Sequence, residues 1–213
     1  MVVDNQIMDE SYKRDLLEVL YARSFMFDPD KGFTLASGKK SDVYIDAKKT
    51  VYNSVGMELV GFAIFQELKN DPVDAVGGLT LGADGVAYAT ALIGTMRNKM
   101  LDAFVVRKEP KSHGTQKWIE GDLREGTWAI VLEDVVTTGS SAITAVERLR
   151  EAGVVVNKVI ALVDREEGGR ENIEKKTGCK FVSIVTKSDL VDLHEKVRKA
   201  KALKEKEEEE ELA

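Results

Sequence analysis

Residues 131–142 read Val131-Leu132-Glu133-Asp134-Val135-Val136-Thr137-Thr138-Gly139-Ser140-Ser141-Ala142, and their reading decides the fold. An apolar run from Trp128 to Leu132 ends in two adjacent carboxylates. Small hydroxyl residues and one glycine follow, and a helical pattern begins at Ser140. That order is a strand, a loop and a helix N-terminus. The loop exposes backbone N–H groups in front of the helix, where the helix dipole favours a phosphate. The carboxylates suit ribose hydroxyls or a metal. An ordinary strand–helix turn with a capping serine accounts for Ser140. It does not account for two acids side by side at a strand end, where they repel unless a ligand or a metal holds them.

Downstream, Ser140–Ala152 reads as a helix with Ala142, Ile143, Val146 and Leu149 inward and Gly153 as its stop. Val154–Val163 is an apolar strand. Asn172–Lys176 is a short helix, Phe181–Thr186 a final strand, and Asp189–Lys199 a last helix opened by the pair Thr186 and Asp189. Upstream, Leu101–Val106 and Asp74–Gly78 read as strands, and Ala83–Met96 and Asn53–Leu68 as helices, the latter capped by Asn53 or Ser54. From residue 53 onward, strands alternate with helices. The pattern predicts an α/β fold: a mostly parallel sheet with helices on both faces and ligands at the carboxyl ends of the strands.

The first 50 residues break that pattern. A helix over 9–26 precedes two short strands, Phe33–Leu35 and Val43–Ile45, around the turn 36–40, and together they predict a small hood lobe. Residues 1–200 are expected to form one domain with the hood at about 1–50. Residues 201–213 are an acidic tail, disordered or a helical extension, with no function assigned.

The 213 residues suffice for one sizeable domain. The formal charge is −6, and the Glu-rich last ten residues carry −4 of it, which leaves −2 for the body. A near-neutral body lacks the basic face that nucleic acid requires. A single cysteine, Cys179, permits no internal disulfide and suggests a reducing, cytoplasmic home. No signal peptide and no membrane span are expected. Cys179 reads as a small core residue, and His194 as a helix residue among charges.

Three loops follow apolar strands directly: Gly77–Gly82, Arg107–Glu125 and Glu133–Ser140. In a parallel sheet they project from one edge and surround one ligand. Arg107–Glu125 is polar, cationic in its first half and without period, which in a compact domain marks a functional or disordered segment. Its start reads Arg107-Lys108-Glu109-Pro110-Lys111-Ser112-His113-Gly114. Gly32–Lys40 is not the phosphate loop of NTPases, because five residues separate Gly32 from Gly38 and no Ser or Thr follows Lys39.

Val131–Ala142 resembles the phosphoribosyl-pyrophosphate (PRPP) motif of type I phosphoribosyltransferases. Arg107–Gly114 resembles the Arg-Lys-x-x-Lys-x-His-Gly catalytic loop of the orotate phosphoribosyltransferases within them. Phe33–Tyr44 resembles that family's N-terminal signature, and Asp164-Arg165 its base-binding pair. The likeness covers roughly residues 10–190 and implies transfer of phosphoribose from PRPP to orotate, giving orotidine 5′-monophosphate and pyrophosphate in pyrimidine synthesis.

The resemblance also implies roles. Glu133 and Asp134 hold the ribose hydroxyls and orient a Mg²⁺ complex carried by PRPP and water, with no direct protein ligand to the metal. Val135, Val136 and Thr137 to Ala142 bind PRPP, with Thr137–Ser141 cradling the 5′-phosphate. Arg107, Lys108, Lys111 and His113 face the pyrophosphate, and Lys111, His113 and Asp134 are the catalytic set. Arg165 grips the orotate carboxylate, helped by Thr137. Tyr44 either stacks on the base or is a core aromatic of its strand. The family members are homodimers, so loop 107–120 is expected to be shared across an interface.

Two departures stand out. Ala36 occupies the place where many members carry Lys, with Lys39 and Lys40 nearby. Thr80-Leu81 replaces an aromatic–Lys pair in the Gly77–Gly82 loop, where the family binds pyrophosphate through backbone groups. A purine phosphoribosyltransferase would need neither Arg165 nor the Lys-x-His loop. A non-catalytic PRPP-sensing regulator would have lost the loop cations and would usually carry a basic face.

Overall fold

The computed structural model describes residues 5–34, 38, 40–110 and 118–211. Helix α1 (Asn5–Ser24) ends before the expected boundary, because Phe25–Phe27 form strand β1. Strands β2 (Phe33–Thr34), β3 (Lys40–Ser41) and β4 (Val43–Ile45) follow. β1 pairs antiparallel with β4, and β2 with β3, so two short ribbons make up the hood. A one-turn helix α2 (Lys48–Val51), which the sequence pattern does not announce, leads to α3 (Ser54–Leu68). There the Gly56 N–H donates to the side chain of Asn53 at 3.2 Å, the expected cap.

Next come β5 (Ala75–Leu79), α4 (Gly82–Met96), β6 (Asp102–Val106), β7 (Ile119–Glu120) and β8 (Trp128–Val136). The chain closes with α5 (Ser140–Glu151), β9 (Val155–Asp164), α6 (Gly169–Thr177), β10 (Lys180–Thr186) and α7 (Lys187–Glu211). Six strands form one sheet in the order β10-β9-β8-β5-β6-β7. All neighbours are parallel except β7, which closes the edge antiparallel to β6.

The strands are apolar on both sides because helices bury both sides. Along β8, Ile130 and Leu132 enter a core with residues of α1, α2, α3, α4 and α7. Ala129 and Val131, at the alternate positions, enter a second core with α5 and α6. From β5 the chain moves outward to β6, then returns to β8 and moves outward the other way. The switch point therefore lies between β5 and β8, and the crevice beyond their carboxyl ends is where such sheets bind ligands.

Further differences from the sequence pattern lie around the sheet edge and at the last helix. β8 runs on to Val136, so Glu133 and Asp134 sit within the strand rather than after it. The ladder to β9 persists through Val136↔Asp164, which holds the acid pair in regular backbone. β7 lies inside the segment expected to be structureless. Helix α7 is longer than expected and takes up the tail through Glu211 as a helical extension. Its start is the anticipated reciprocal cap: the Thr186 N–H donates to Asp189 at 2.8 Å, and the Asp189 N–H to the Thr186 hydroxyl at 3.1 Å.

Candidate active site

Glu133 and Asp134 are 6% and 8% exposed at the switch point. The glycines of the facing loop make room for them. A Cβ on Gly82 would overlap the Asp134 carboxylate, and one on Gly78 would overlap the Leu132 carbonyl. Only glycine lets α4 begin against the acid pair. Burial, and then the neighbouring Asp134 charge, hold the Glu133 carboxyl well above the usual range, with Lys108 pulling the other way. Glu133 Oε2 is buried and without a hydrogen-bond partner among the described residues. Burial raises Asp134 too, but it accepts the Val135 N–H at 2.9 Å and feels Lys48, both of which favour its charged form.

Behind the acids, Glu133, Val135, Val136, Thr137, Gly139, Ser140, Ser141 and Ala142 line one small pocket. Gly139 turns the chain at φ +80°, and no side chain caps α5. The first N–H groups of that helix are therefore left for a ligand. Helix α6 props the loop from outside: the Asn172 amide donates to the Thr138 carbonyl at 3.0 Å.

On the other side, the Arg107 N–H donates to the Trp118 carbonyl at 2.8 Å and closes the stem of the long loop. The Arg107 guanidinium lies 3.2 Å from Glu120 and donates to the Glu109 carbonyl. A cavity of ≈ 420 Å³ opens among Thr80, Arg107, Lys108 and Glu120. The Arg148 guanidinium, 3.9 Å from the centre of the Trp118 ring, fastens the far end of the loop to α5. Lys111 and His113 lie outside the described residues, as do Ala36 and Lys39.

Arg165 is 4% exposed, far from the solvated turn its surrounding charges suggest. Its Nη2 lies 2.9 Å from Glu167 and donates to the Val43 carbonyl at 3.5 Å. Its Nε is buried and has no partner among the described residues. Tyr44, on the same hood strand as Val43, is 36% exposed, with the Phe33 ring 5.6 Å away. It is a surface aromatic, not a core one.

The linear pattern missed several neighbours of the acid pair. Lys48 forms a 2.8 Å ion pair with Asp46. That hydrogen bond is the chief reason the Lys48 ammonium is held above its ordinary range, with Asp134 and Tyr44 adding to it. The Tyr52 hydroxyl donates to the Leu81 carbonyl at 3.4 Å, and the Thr80 hydroxyl to Asp84 at 2.8 Å. Two opposite charges, Asp46 and Lys48, at the exit of a strand were the only signal available. Cys179 is buried as expected. His194 lies on α7 among the charged residues of that helix, as expected, but its ring has a partner the sequence did not announce. It packs against Tyr21, Phe25 and Phe27. Among the described residues no three His, Cys, Asp or Glu side chains converge as a metal cage, and no helix is long and apolar enough to cross a membrane.

No protein-family model matches the chain. Over 179 residues it is 47% identical to the orotate phosphoribosyltransferase of Aquifex aeolicus (strain VF5), spanning 84% of this chain and 97% of that protein. It is 42% identical to the orotate phosphoribosyltransferase of Nostoc sp. (strain PCC 7120), spanning 84% of each. The fold matches the crystal structure of Mycobacterium tuberculosis H37Rv orotate phosphoribosyltransferase in complex with PRPP at a TM-score of 0.70 and 34% identity. That match covers 84% of this chain and 98% of that one. With the acid pair, the uncapped helix start and the buried arginine meeting at one sheet edge, and with identity of this depth over most of its length, the chain belongs to the orotate phosphoribosyltransferase family.

Proposed function

We propose that the protein transfers the 5-phosphoribosyl group from PRPP to N1 of orotate, releasing pyrophosphate and forming orotidine 5′-monophosphate in pyrimidine synthesis. The observation that carries the acceptor is Arg165. A buried guanidinium with an unpartnered Nε, bonded to the hood strand that carries Tyr44, is built to receive a planar carboxylate. Thr137, at the start of the phosphate loop, borders the same base.

The donor lies along the switch point. The 5′-phosphate takes the first N–H groups of α5 together with Thr137, Thr138, Gly139, Ser140 and Ser141. Glu133 and Asp134 accept from the ribose hydroxyls. Arg107, Lys108, Lys111 and His113 gather on the pyrophosphate, where negative charge grows as the C1–O bond breaks. Closure of the loop excludes water from the sugar cation. N1 of orotate then attacks C1 from the face opposite the leaving group, with inversion.

Magnesium fits this donor set. The two acids offer hard oxygen acceptors to the waters of a hydrated cation, and the partnerless Glu133 Oε2 suits that role. When bound with PRPP, the ion supplies neutralisation of the pyrophosphate charge. Glu133 and Asp134 would orient it through its waters and the ribose hydroxyls.

The active unit is a homodimer whose loop 107–120 reaches the neighbouring site. An exposed apolar stripe on α4, Tyr88, Leu92 and Met96 at successive turns, supports a second copy there. Residues 1–200 act as one domain with 1–50 as its hood, and the place of work is the cytoplasm.

The test is the fall in orotate absorbance on mixing with PRPP and Mg²⁺, with uracil, hypoxanthine and adenine as controls. Turnover of orotate alone is expected. Turnover of a purine without orotate sinks the assignment.

A further inference from the structure

We propose that helix α7 is a bracket holding the two walls of the base pocket at a fixed spacing, with Ser188 and His194 as positioning residues for the planar acceptor. The inference rests on the orotate reading above. It concerns residues that touch no substrate.

One end of the bracket holds the Arg165 wall. The Ser188 hydroxyl and N–H both donate to the same Glu166 oxygen, at 2.6 and 2.9 Å. Glu166 sits at φ +58°, a left-handed conformation that is unfavourable for a residue with a side chain. It is further pinned because its N–H donates to Asp164 at 2.8 Å. Arg165 lies between Asp164 and Glu166, so this clamp fixes the backbone from which its guanidinium projects.

The other end holds the hood. The His194 ring lies 4.6 Å from the Phe27 ring, 5.6 Å from Phe25 and 6.0 Å from Tyr21, centre to centre. Its Nδ1 is 3.1 Å from the Tyr21 hydroxyl. Phe25 and Phe27 belong to β1, whose register against β4 is Phe27↔Val43 and Met26↔Tyr44. The strand stacked on His194 is therefore paired, residue for residue, with the strand that carries Tyr44. That same strand offers the Val43 carbonyl to Arg165.

Ser188 and His194 lie six residues apart on one helix, about 9 Å along its axis. A single rigid element thus joins the arginine turn to the aromatic ribbon. Other ties hold the foot of the hood: Ser24 to Thr50 at 2.7 Å, the Asp46 N–H to the Ser24 carbonyl at 2.9 Å, and Val43 and Ile45 in the core beneath. They fix the foot of the ribbon, and α7 adds a brace between the ribbon and the arginine turn. The donor side hangs on β5, β8 and α5 and meets the arginine turn through the β8 backbone, where the Arg165 N–H donates to the Val136 carbonyl at 2.9 Å, while the Ser188 and His194 contacts fall on the acceptor side.

The experiment is steady-state kinetics on the full chain with orotate and PRPP varied separately, for His194→Ala, His194→Phe and Ser188→Ala. The His194→Ala variant is expected to raise the KM for orotate about tenfold, the size of effect that follows from displacing a pocket wall. Its KM for PRPP should stay unchanged. His194→Phe, which keeps a ring against Phe27, should restore most of the loss. Ser188→Ala removes only an exposed hydroxyl and should raise the KM for orotate by a smaller factor without touching the core. Unchanged orotate KM in both alanine variants overturns the bracket, and so do equal rises in both KM values. If the unaltered protein does not use orotate, the functional reading fails first. If it does and the variants behave like it, only the bracket fails.

Discussion

At the end of β8 the proposed donor side takes Glu133, Asp134, the phosphate loop and the start of α5 from one continuous stretch of chain. The proposed acceptor side takes Tyr44 from a hood strand, Arg165 from the turn after β9 and its props from α7. The donor side is also mostly backbone: uncapped N–H groups, glycine turns and a strand ladder that runs past the acids. The acceptor side is mostly side chain: one guanidinium, one exposed ring and the contacts that aim them. A phosphate needs little more than an uncapped helix start with free N–H groups, whereas a particular base requires particular groups at particular heights. The difference predicts that substitutions on the two sides fail in different ways.

The largest effect is expected from the loop proposed to close on the departing pyrophosphate. Lys111→Ala should lower turnover by about 10²–10³-fold, because a cation on the departing pyrophosphate acts chiefly in the transition state. Orotate affinity should hardly move. Equal losses in turnover and in orotate binding would show that the loop builds the ground-state pocket instead.

Arg165→Gln comes next. Loss of a charge-assisted grip on a carboxylate costs about 1.5–3 kcal/mol, which is roughly ten- to a hundredfold in orotate affinity. The dissociation constant for PRPP should stay as it was. Titration calorimetry with each ligand separates the two. A matching loss for PRPP would merge the two sides into one.

The same division explains what the sequence made readable. The PRPP element is contiguous, so its strand, acids, glycine and helix start stand in the order in which they act. The burial of Ala129 to Leu132 on both faces of the sheet follows from their unbroken apolar run, and the inward face of α5 from simple periodicity. Contacts made across the chain leave no such trace. Lys48 meets Asp134, Val43 meets Arg165 and His194 meets Phe27 only after the hood folds over the sheet. Strand β1 was hidden because Phe25–Phe27 continue a helical run without a break. β8 outlasted its apolar stretch because its ladder to β9 continues through residues whose side chains are acidic.

Within the donor side, backbone should matter more than hydroxyls. Gly139→Ala places a Cβ at φ +80°, 2.7 Å from the Ile173 side chain, and should weaken PRPP binding by about tenfold through a shifted loop. Ser140→Ala removes one hydroxyl and leaves every N–H of the helix start, so its cost should be nearer a few-fold. Direct PRPP titration ranks them. The reverse order would make the cradle a side-chain site after all.

The smallest effect is a slope with pH. Burial and Asp134 raise the Glu133 carboxyl, and Asp134 is raised less because Val135 and Lys48 favour its charge. A carboxyl raised in the folded state adds stability that is complete below the ordinary carboxylate range and lost as pH rises through the raised value. The ligand-free protein should therefore lose thermal stability across that window. Glu133→Gln, which never ionises, should lose less. PRPP binding runs the other way. If the ribose hydroxyls donate to an ionised Glu133, affinity is full above the raised value and declines as pH falls through it, with a proton released on binding. In Glu133→Gln the affinity should be lower at high pH and nearly flat, leaving only the shallower contribution of Asp134. Melting curves and PRPP titrations over the same pH series test both slopes together. Parallel curves for the two proteins would mean that Glu133 is a neutral, structural member of the pair and that Asp134 alone carries the ribose.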